Sequence, residues 1–490
     1  MRFTSFLFLS LLALPFGAPE ALAGSGMEAT VRWGAVVGAG DYSPFWLITN
    51  RYGALSVNKN QWYARADFLY SHALDNRWRF EAGIDGIVSQ GTDRTAYLQQ
   101  LYVLMGYRSL TLSIGSMERY GGILDPVLSS GDMAHGINAA PIPEINLRME
   151  EFQPVPLTNR WLRVKGDFAM GRSLDANYLE RHITAEHRPY NTDILWHHKS
   201  LFFQIGREDR FPLLCTLGVQ HWAEWGGKSS ADPERKQPTG LKDMLRVILG
   251  SGGGDGSTTS DAINVLGNHY GTYDLKLSYV SSCMNLHLYY QHYFDDKSGM
   301  AFTNGLDGLW GGEMSFPTNP YLPTVLLEYL TTRSQSGPLH FIEYDHTKYE
   351  GPGGGCDNYY NNGEYATGVS YYQRTLGNPL LPSPAYFGQL GFRHNRIRAY
   401  HVSLSGKLTR DIGYTGHYSY TKSWGTHELP LMDPVDTHAL GIRLSYDRMA
   451  SPWKVEAGLG WDKGGLLKDN IGVEIMVRYH ILKAPTGRRR

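Results

Sequence analysis

The chain has 490 residues, with 46 lysines and arginines against 47 aspartates and glutamates, and a formal net charge of −1. This balance excludes electrostatic capture of nucleic acid as the main function, because such capture requires a basic excess. A mean hydropathy of −0.34 excludes a bundle of transmembrane helices, and a hydrophobic fraction of 42% excludes a disordered chain.

Glycine and tyrosine are both abundant, with 56 and 32 residues. A composition that is rich in both and mildly polar is typical of a transmembrane β-barrel, whose aromatic girdles face lipid while its lumen is polar. Large barrels of this length are single domains. We therefore expect one all-β barrel domain over residues 24–490.

The first 23 residues have the pattern of a secretory signal peptide. Arg2 gives a positive start, residues 6–16 form a short apolar stretch, and Ala-Leu-Ala at residues 21–23 is a cleavage signal before Gly24. The apolar stretch is too short to span a bilayer. Together with the barrel composition, this segment predicts export to the outer membrane of a Gram-negative bacterium.

Beyond the signal peptide, segments of about ten residues alternate apolar and polar side chains, which is the period of a strand with two different faces. In the clearest segment, residues 453–462, we predict that one set faces lipid and the other faces the lumen. The lipid-facing set is Trp453, Val455, Leu459 and Trp461, and the luminal set is Lys454, Glu456 and Asp462. Short polar joins predict hairpins at residues 75–76, 107–109, 198–199, 395–396 and 410–411.

The strands of a soluble β-sandwich or solenoid also alternate apolar and polar side chains, so a second observation is needed to distinguish these folds from a barrel. One face of these segments repeatedly carries charged residues, while aromatic residues mark the ends of the apolar face. Lipid imposes this arrangement, because amphipathic rings settle at headgroup depth. Candidate strands number roughly 16 to 22, and barrels of this kind have even strand numbers.

Long inserts separate the candidate strands at roughly 118–142, 226–268, 295–306, 347–363 and 425–437. They are too long for turns, so we expect them to fold over or into the barrel mouth. In the second insert, apolar residues recur at helical spacing and predict a helix. They are Leu241, Met244, Leu245, Ile248 and Leu249.

No residue pattern indicates catalysis or a metal site. The three cysteines, Cys215, Cys283 and Cys356, form neither a disulfide framework nor a zinc-binding pair. His197 and His198 are neighbours on a strand and point to opposite faces, so they cannot share an ion. We therefore expect no enzyme activity, no cofactor and no metal.

Aromatic and amide residues mark candidate polysaccharide contacts. Flat rings stack on sugar C–H faces, and planar amides bind hydroxyls. We expect these candidates to lie on the inserts: Trp222, Trp225, Trp310, Tyr359, Tyr360, Asn361, Asn362 and Trp424. The alternative is that these residues form the interfacial girdle and the packing of the loops.

A family resemblance adds to this interpretation. The segment 129–145 reads SSGDMAHGINAAPIPEI and resembles the signature of the Wzi capsule-assembly family of outer-membrane proteins. Further short matches resemble the Bacteroidetes-type branch of that family, in the same order along the chain. They are SPFWLITNRYG at 43–53, residues 218–227, GNHYGTYD at 267–274, QSGP at 335–338 and YYNNGEY at 359–365.

The resemblance implies an outer-membrane barrel of about 18 strands, closed by helical elements, that attaches exported capsular polysaccharide to the cell surface as a lectin. Its implied partners are capsular or surface polysaccharide, outer-membrane lipid and lipopolysaccharide, and the barrel-insertion machinery, with no nucleic acid. It implies no catalytic residue. Within the motif, we expect Asn138, Pro141 and Pro143 to shape a loop rather than to contact sugar.

Two other functions compete with this interpretation. A porin or sugar channel would have an open lumen, whereas plugging inserts favour the lectin. A barrel enzyme would need an activated Ser–His pair on its outer wall. His438 and Ser445 share one predicted strand, but many such pairs arise by chance in a chain of this length.

Overall fold

The computed structural model describes residues 25–75, 77–183, 189–232, 237–252, 265–339, 355–449 and 451–482. Within these ranges, an 18-stranded sheet forms a closed antiparallel barrel. The predicted signal peptide lies outside the described residues.

Each strand pairs with the next along the chain, and the last strand pairs with the first. The strands are β1 (Ser25–Gly40), β2 (Gln61–Ala73), β3 (Trp78–Gln90), β4 (Ala96–Tyr107), β5 (Leu110–Ser116), β6 (Glu144–Pro154), β7 (Leu162–Arg172), β8 (Leu195–Ile205), β9 (Leu213–Trp225), β10 (Asn268–Val280), β11 (Asn285–Phe294), β12 (Gly308–Ser315), β13 (Thr324–Thr331), β14 (Ile397–Lys407), β15 (Ile412–Gly425), β16 (Pro430–Asp447), β17 (Trp453–Gly464) and β18 (Asn470–Leu482). Closure leaves no unpaired sheet edge. The predicted barrel of about 18 strands is confirmed.

The alternation of side chains separates the outer face of the wall from the inner face. On β17, Trp453, Leu459 and Trp461 are exposed on the outside, whereas Asp462 is buried inside. Glu456, on the inner face, lies 3.9 Å from the guanidinium of Arg443. The predicted inner and outer faces of this strand are therefore confirmed.

The two ends of the barrel differ in the length of their connections. At the end that carries Ser25 and Leu482, which we call the turn end, the connections are short, as at residues 108–109 and 408–411. The long connections all leave the opposite end, the insert end. They span residues 41–60, 117–143, 173–194, 226–267, 295–307 and 332–396.

Three of these inserts pack together inside the barrel and fill its lumen. We call the described residues of these segments the plug: 41–60, 117–143 and 355–396. Their apolar residues form one buried cluster with the inner wall. It includes Trp46, Leu47, Leu128, Met133, Tyr359, Tyr360, Tyr371 and Leu380. Gly441 and Gly460 of the wall leave room for this packing, since a Cβ at either position would collide with Trp46 or Leu47.

The helices are short and lie in the inserts. They are α1 (Phe45–Ile48), α2 (Ala176–His182), α3 (Leu241–Leu249) and α4 (Lys297–Met300), with a 3₁₀ turn at Pro384–Tyr386. None of the helices in the described ranges is long and apolar enough to cross a membrane. The helix predicted from the spacing of Leu241 to Leu249 is confirmed as α3.

The position of α3 differs from the expectation that inserts fold over or into the mouth. Val247 packs against Ala223, Trp225 and Leu266. Ala223 and Trp225 belong to the outward-facing set of β9, so α3 lies against the outside of the wall. The amphipathic pattern predicted the helix, but only the neighbouring strands decide which side of the wall it covers.

Several predicted boundaries were wrong. Residues 198–199 lie within β8, and residues 395–396 end the long insert rather than forming a hairpin. The predicted insert at 425–437 is mostly strand, because β15 and β16 continue as a paired hairpin with Gly425 opposite Pro430. Proline and aspartate resemble a loop in sequence, yet they are tolerated at the solvated end of a hairpin.

Candidate functional site

The segment that carries the family-like motif forms the centre of the plug. Asn138 is 1% exposed and joins three inserts. Its Oδ1 accepts hydrogen bonds from the guanidinium of Arg374 at 3.0 Å and from the backbone N–H of Asn50 at 3.3 Å, and its Nδ2 donates to the carbonyl of Thr375 at 3.3 Å. As predicted, Asn138 shapes a loop.

Acidic and amide side chains fasten the motif to the inner wall. The buried carboxylate of Asp132 accepts from Gln220 on β9 at 3.0 Å and from Gln291 on β11 at 2.9 Å. Glu328 on β13 accepts from the hydroxyl of Ser129 at 2.6 Å and from the backbone N–H of Ser130 at 2.8 Å. These partners come from distant strands, so the motif holds its place only in the closed barrel.

A stack of three rings extends this attachment. Trp222 lies between His135 of the plug and His198 of β8, with ring centroids 4.1 and 3.9 Å away and nearly parallel planes. His198 also lies 2.9 Å from Glu144, which pairs with Arg119. Burial, followed by the positive charge of nearby groups, lowers the pKa of His135 to about 3. The imidazole of His135 is therefore neutral where it stacks.

At the insert end, a cation and aromatic rings form a surface that sequence patterns did not identify. We call it the aromatic cap: Arg94, Tyr97, Tyr178, His182 and Tyr372. The guanidinium carbon of Arg94 lies 3.5 Å from the ring centre of Tyr97 and 4.0 Å from that of Tyr372. Tyr178 stacks on His182 at 4.2 Å and contacts Tyr372 edge-on at 5.4 Å. Tyr178 is buried, Arg94, Tyr97 and Tyr372 are half-buried, and His182 is exposed. Planar groups of this kind suit the apolar face of a sugar ring.

The members of the cap come from β4, the β3–β4 turn, α2 and the last plug segment. No spacing in the sequence connects these places, because the closure of the barrel and the folding of the plug bring them together. Tyr372 is fixed by hydrogen bonds to the two residues that precede α2. Its hydroxyl donates to the carbonyl of Leu174 at 3.1 Å, and its N–H donates to Asp175 at 3.3 Å.

The tryptophans predicted as polysaccharide contacts are not on the inserts. Trp222 is buried inside the barrel and Trp225 is buried beneath α3 on the outside. Trp310 is 37% exposed on the outer face of β12, stacked on Tyr290 at 3.9 Å. Trp424 lies near the insert end of β15. Their assignment to inserts was wrong, because strands and inserts share the same aromatic composition.

The other candidates do lie on the plug. Tyr359 and Tyr360 are at most 1% exposed and pack in its core, which leaves no ring surface for a sugar. Asn361 and Asn362 are half-buried. Their amides donate to the carbonyl of Phe392 at 2.8 Å and to the side chain of Asn268 at 3.1 Å. Sugar contact by the accessible candidates stays a prediction.

The fold and the site define a class: a closed 18-stranded barrel whose lumen is filled by its own inserts. The family model described as capsule assembly protein Wzi matches residues 47–395. The chain belongs to this family.

Among solved structures, one has a similar fold with a TM-score above 0.5. Escherichia coli Wzi is described as an outer membrane protein involved in group 1 capsule assembly and as a carbohydrate-binding β-barrel. It is similar with a TM-score of 0.56 and 12% identity, over 91% of this chain and 83% of that one. Pseudomonas aeruginosa OccK5 (OpdH) has a TM-score of 0.47 and 9% identity, over 94% of this chain and 99% of that one. No curated protein sequence is significantly similar to the chain.

Proposed function

We propose that the protein resides in the outer membrane, exported by its N-terminal signal peptide, with the insert end at the cell surface. The outer face supports this placement, because exposed apolar residues such as Leu201, Leu217 and Ile475 recur around the wall. Outer-membrane barrels have short periplasmic turns and long extracellular loops. The wall then contacts outer-membrane lipid and lipopolysaccharide, after assembly as one domain by the barrel-insertion machinery.

At the surface, the protein holds capsular or related polysaccharide without chemically changing it. The observation that carries this proposal is that the family motif, residues 129–145, forms part of the plug. Asp132, Asn138 and their neighbours build a plug that fills the lumen. The aromatic cap at the insert end offers the stacking surface. Because a polymer presents many repeats, weak contacts at this surface add up to firm attachment.

Deletion of the gene in a capsule-producing strain tests the proposal. We expect polysaccharide to move from the cells to the medium while total synthesis stays near normal, because attachment comes after export. Complementation with the wild-type gene restores retention. Unchanged cell-bound polysaccharide in the deletion strain would contradict the proposal.

Planar-bilayer recording tests the competing channel function in the purified protein. A filled lumen should give no stable current. Steady conductance of porin size would favour a porin or sugar channel instead.

A further inference from the structure

The outer face of β13, β14 and β15 changes character in steps toward the insert end. Val402 of β14 lies opposite Tyr418 of β15, in the apolar part of the wall. Two residues further on, Tyr400 lies opposite Tyr420, and Tyr329 of β13 contacts Tyr400 with ring centroids 5.2 Å apart. This order, apolar and then aromatic, marks the edge of a hydrocarbon layer.

Directly beyond the tyrosines, the same face becomes basic. Arg398 lies opposite Lys422, two residues along the strands from Tyr400 and Tyr420. At a rise of about 3.4 Å per residue, these cations lie roughly 7 Å beyond the aromatic residues. Because tyrosine rings settle at headgroup depth, cations directly beyond them are within reach of the headgroup phosphates.

Two more arginines and a tryptophan complete a cluster. The guanidinium carbon of Arg333 lies 4.0 Å from the ring centre of Trp424, and Lys422 Nζ lies 5.7 Å from the same ring. Arg396 donates from Nε to the carbonyl of Arg333 at 3.4 Å, and its own carbonyl accepts from the N–H of Trp424 at 2.9 Å. We call Arg333, Arg396, Arg398 and Lys422 the basic rim.

Two carboxylates, Asp436 and Asp307, lie near the basic rim but form no ion pair with it among the described residues. Among the described residues, no carboxylate lies within ion-pair distance of any of its four cations. Asp436, opposite Lys422, accepts from the hydroxyl of Tyr420, and buried Asp307 accepts from backbone N–H groups of the 332–339 segment. Burial and then the positive charge of Arg333 lower the pKa of Arg396, and the negative charge of Asp307 offsets only part of this effect. A bound anion would relieve this repulsion.

We propose that the basic rim binds the phosphate group of an outer-leaflet lipid headgroup. Guanidinium groups bind phosphate through paired hydrogen bonds, and Trp424 provides an amphipathic ring at the same depth. The site rests on the proposed membrane placement, but it is separate from polysaccharide retention. The basic rim faces sideways from the wall, whereas the aromatic cap lies at the insert end, where β4, α2 and the plug meet.

The test uses full-length protein in nanodiscs and native mass spectrometry of the lipids that stay bound. Lipid A is compared with its dephosphorylated form and with phosphatidylglycerol. We expect both phosphate-bearing lipids to be retained. Stronger retention of lipid A would identify it as the lipid that supplies the phosphate. Replacing Arg398→Gln together with Lys422→Gln should weaken retention about tenfold or more, given the typical energy of a basic residue near a charged membrane surface.

Two control variants make the result specific. Arg398→Lys with Lys422→Arg keeps both charges and should retain lipid. Lys242→Gln removes an exposed cation on α3 and should leave retention unchanged. Equal retention of dephosphorylated lipid A, or equal retention by the neutral double variant, would overturn the proposal.

A second readout separates this site from the proposed function. In cells, the neutral double variant should still migrate as a heat-modifiable barrel and hold polysaccharide. Normal lipid retention with lost polysaccharide in this variant would assign the basic rim to the polysaccharide and overturn the lipid assignment. Failure of the outer-membrane placement itself would appear as loss of the barrel from the membrane fraction in the wild type.

Discussion

The outer and inner faces of the wall are built from alternate residues of the same strands, yet they follow different rules. On the outside, any apolar side chain of reasonable size fits, as Ile471, Val473 and Ile475 of β18 show with more than half of each side chain exposed. On the inside, many buried polar side chains have a particular partner, as Gln220 and Gln291 of the wall have in Asp132 of the plug. The uniform environment of the outer face requires only that a residue be apolar. The packed polar interior requires a particular residue at each position.

The largest effect should come from placing a charge on the outer face. Ala457→Arg puts a guanidinium on the exposed face of β17, where a mid-bilayer arginine costs roughly 2–4 kcal/mol. Glu456→Arg places the same group on the inner face, one residue away. We expect the first variant to lose most heat-modifiable barrel and the second to lose far less. Equal losses would mean that the two faces do not differ as described.

Next in size is the loss of an inner-face contact that holds the plug. Asn138→Ala removes hydrogen bonds to two other inserts and leaves the buried guanidinium of Arg374 short of a partner, at an expected cost of about 2–3 kcal/mol. The wall should stay intact while the plug becomes sensitive to protease. Asn177→Ala, on the exposed side of α2, is the matched control. Identical digestion of the two variants would show that Asn138 does not hold the plug.

Buried carboxyls near the insert end should make the stability of the inserts depend on pH. Burial is the main cause that raises the pKa of Asp307 and of Asp357 to about 6. Because the folded pKa lies above the unfolded one, these groups reduce stability as pH rises from about 4 to 6, by on the order of 1–3 kcal/mol each.

Protease resistance of the inserts should therefore increase when the pH falls from 7 to 5. Asp357→Asn should reduce this increase, because the amide has no proton to lose. Asp433→Asn, at an exposed position of β16, should leave the pH profile as in the wild type. Resistance that falls toward pH 5 in the wild type would have the wrong sign for this explanation.

The smallest effect should be on the proposed polysaccharide surface. Tyr372→Ala removes one ring from the aromatic cap, and contacts repeated along a polymer are lost gradually. We expect a partial release of polysaccharide, measured as the ratio of medium to cell-bound material. Tyr321→Ala, an exposed tyrosine at the turn end, should have no effect. Full retention of polysaccharide by the cap variant would show that the aromatic cap is not the binding surface.

The sequence by itself determined the barrel. The alternation of residues 453–462 and 471–481 predicts two faces. Each strand meets the outside of the barrel on one face and the interior on the other along its whole length, so a local period of two is enough to reveal it. The spacing of Leu241 to Leu249 predicted α3 for the same reason. The family motif at 129–145 also marked the plug, although it did not reveal its contacts.

Only the tertiary structure decided what lies inside and at the rims. Trp222 and Trp225 are three residues apart, yet one stacks within the lumen and the other lies beneath a helix on the outside. The aromatic cap and the basic rim join residues that are far apart in the chain, such as Arg94 with Tyr372 and Arg333 with Trp424. Barrel closure and the packing of the inserts decide which residues meet in the aromatic cap and the basic rim. Contacts between residues so far apart in the chain leave no periodic pattern in the sequence.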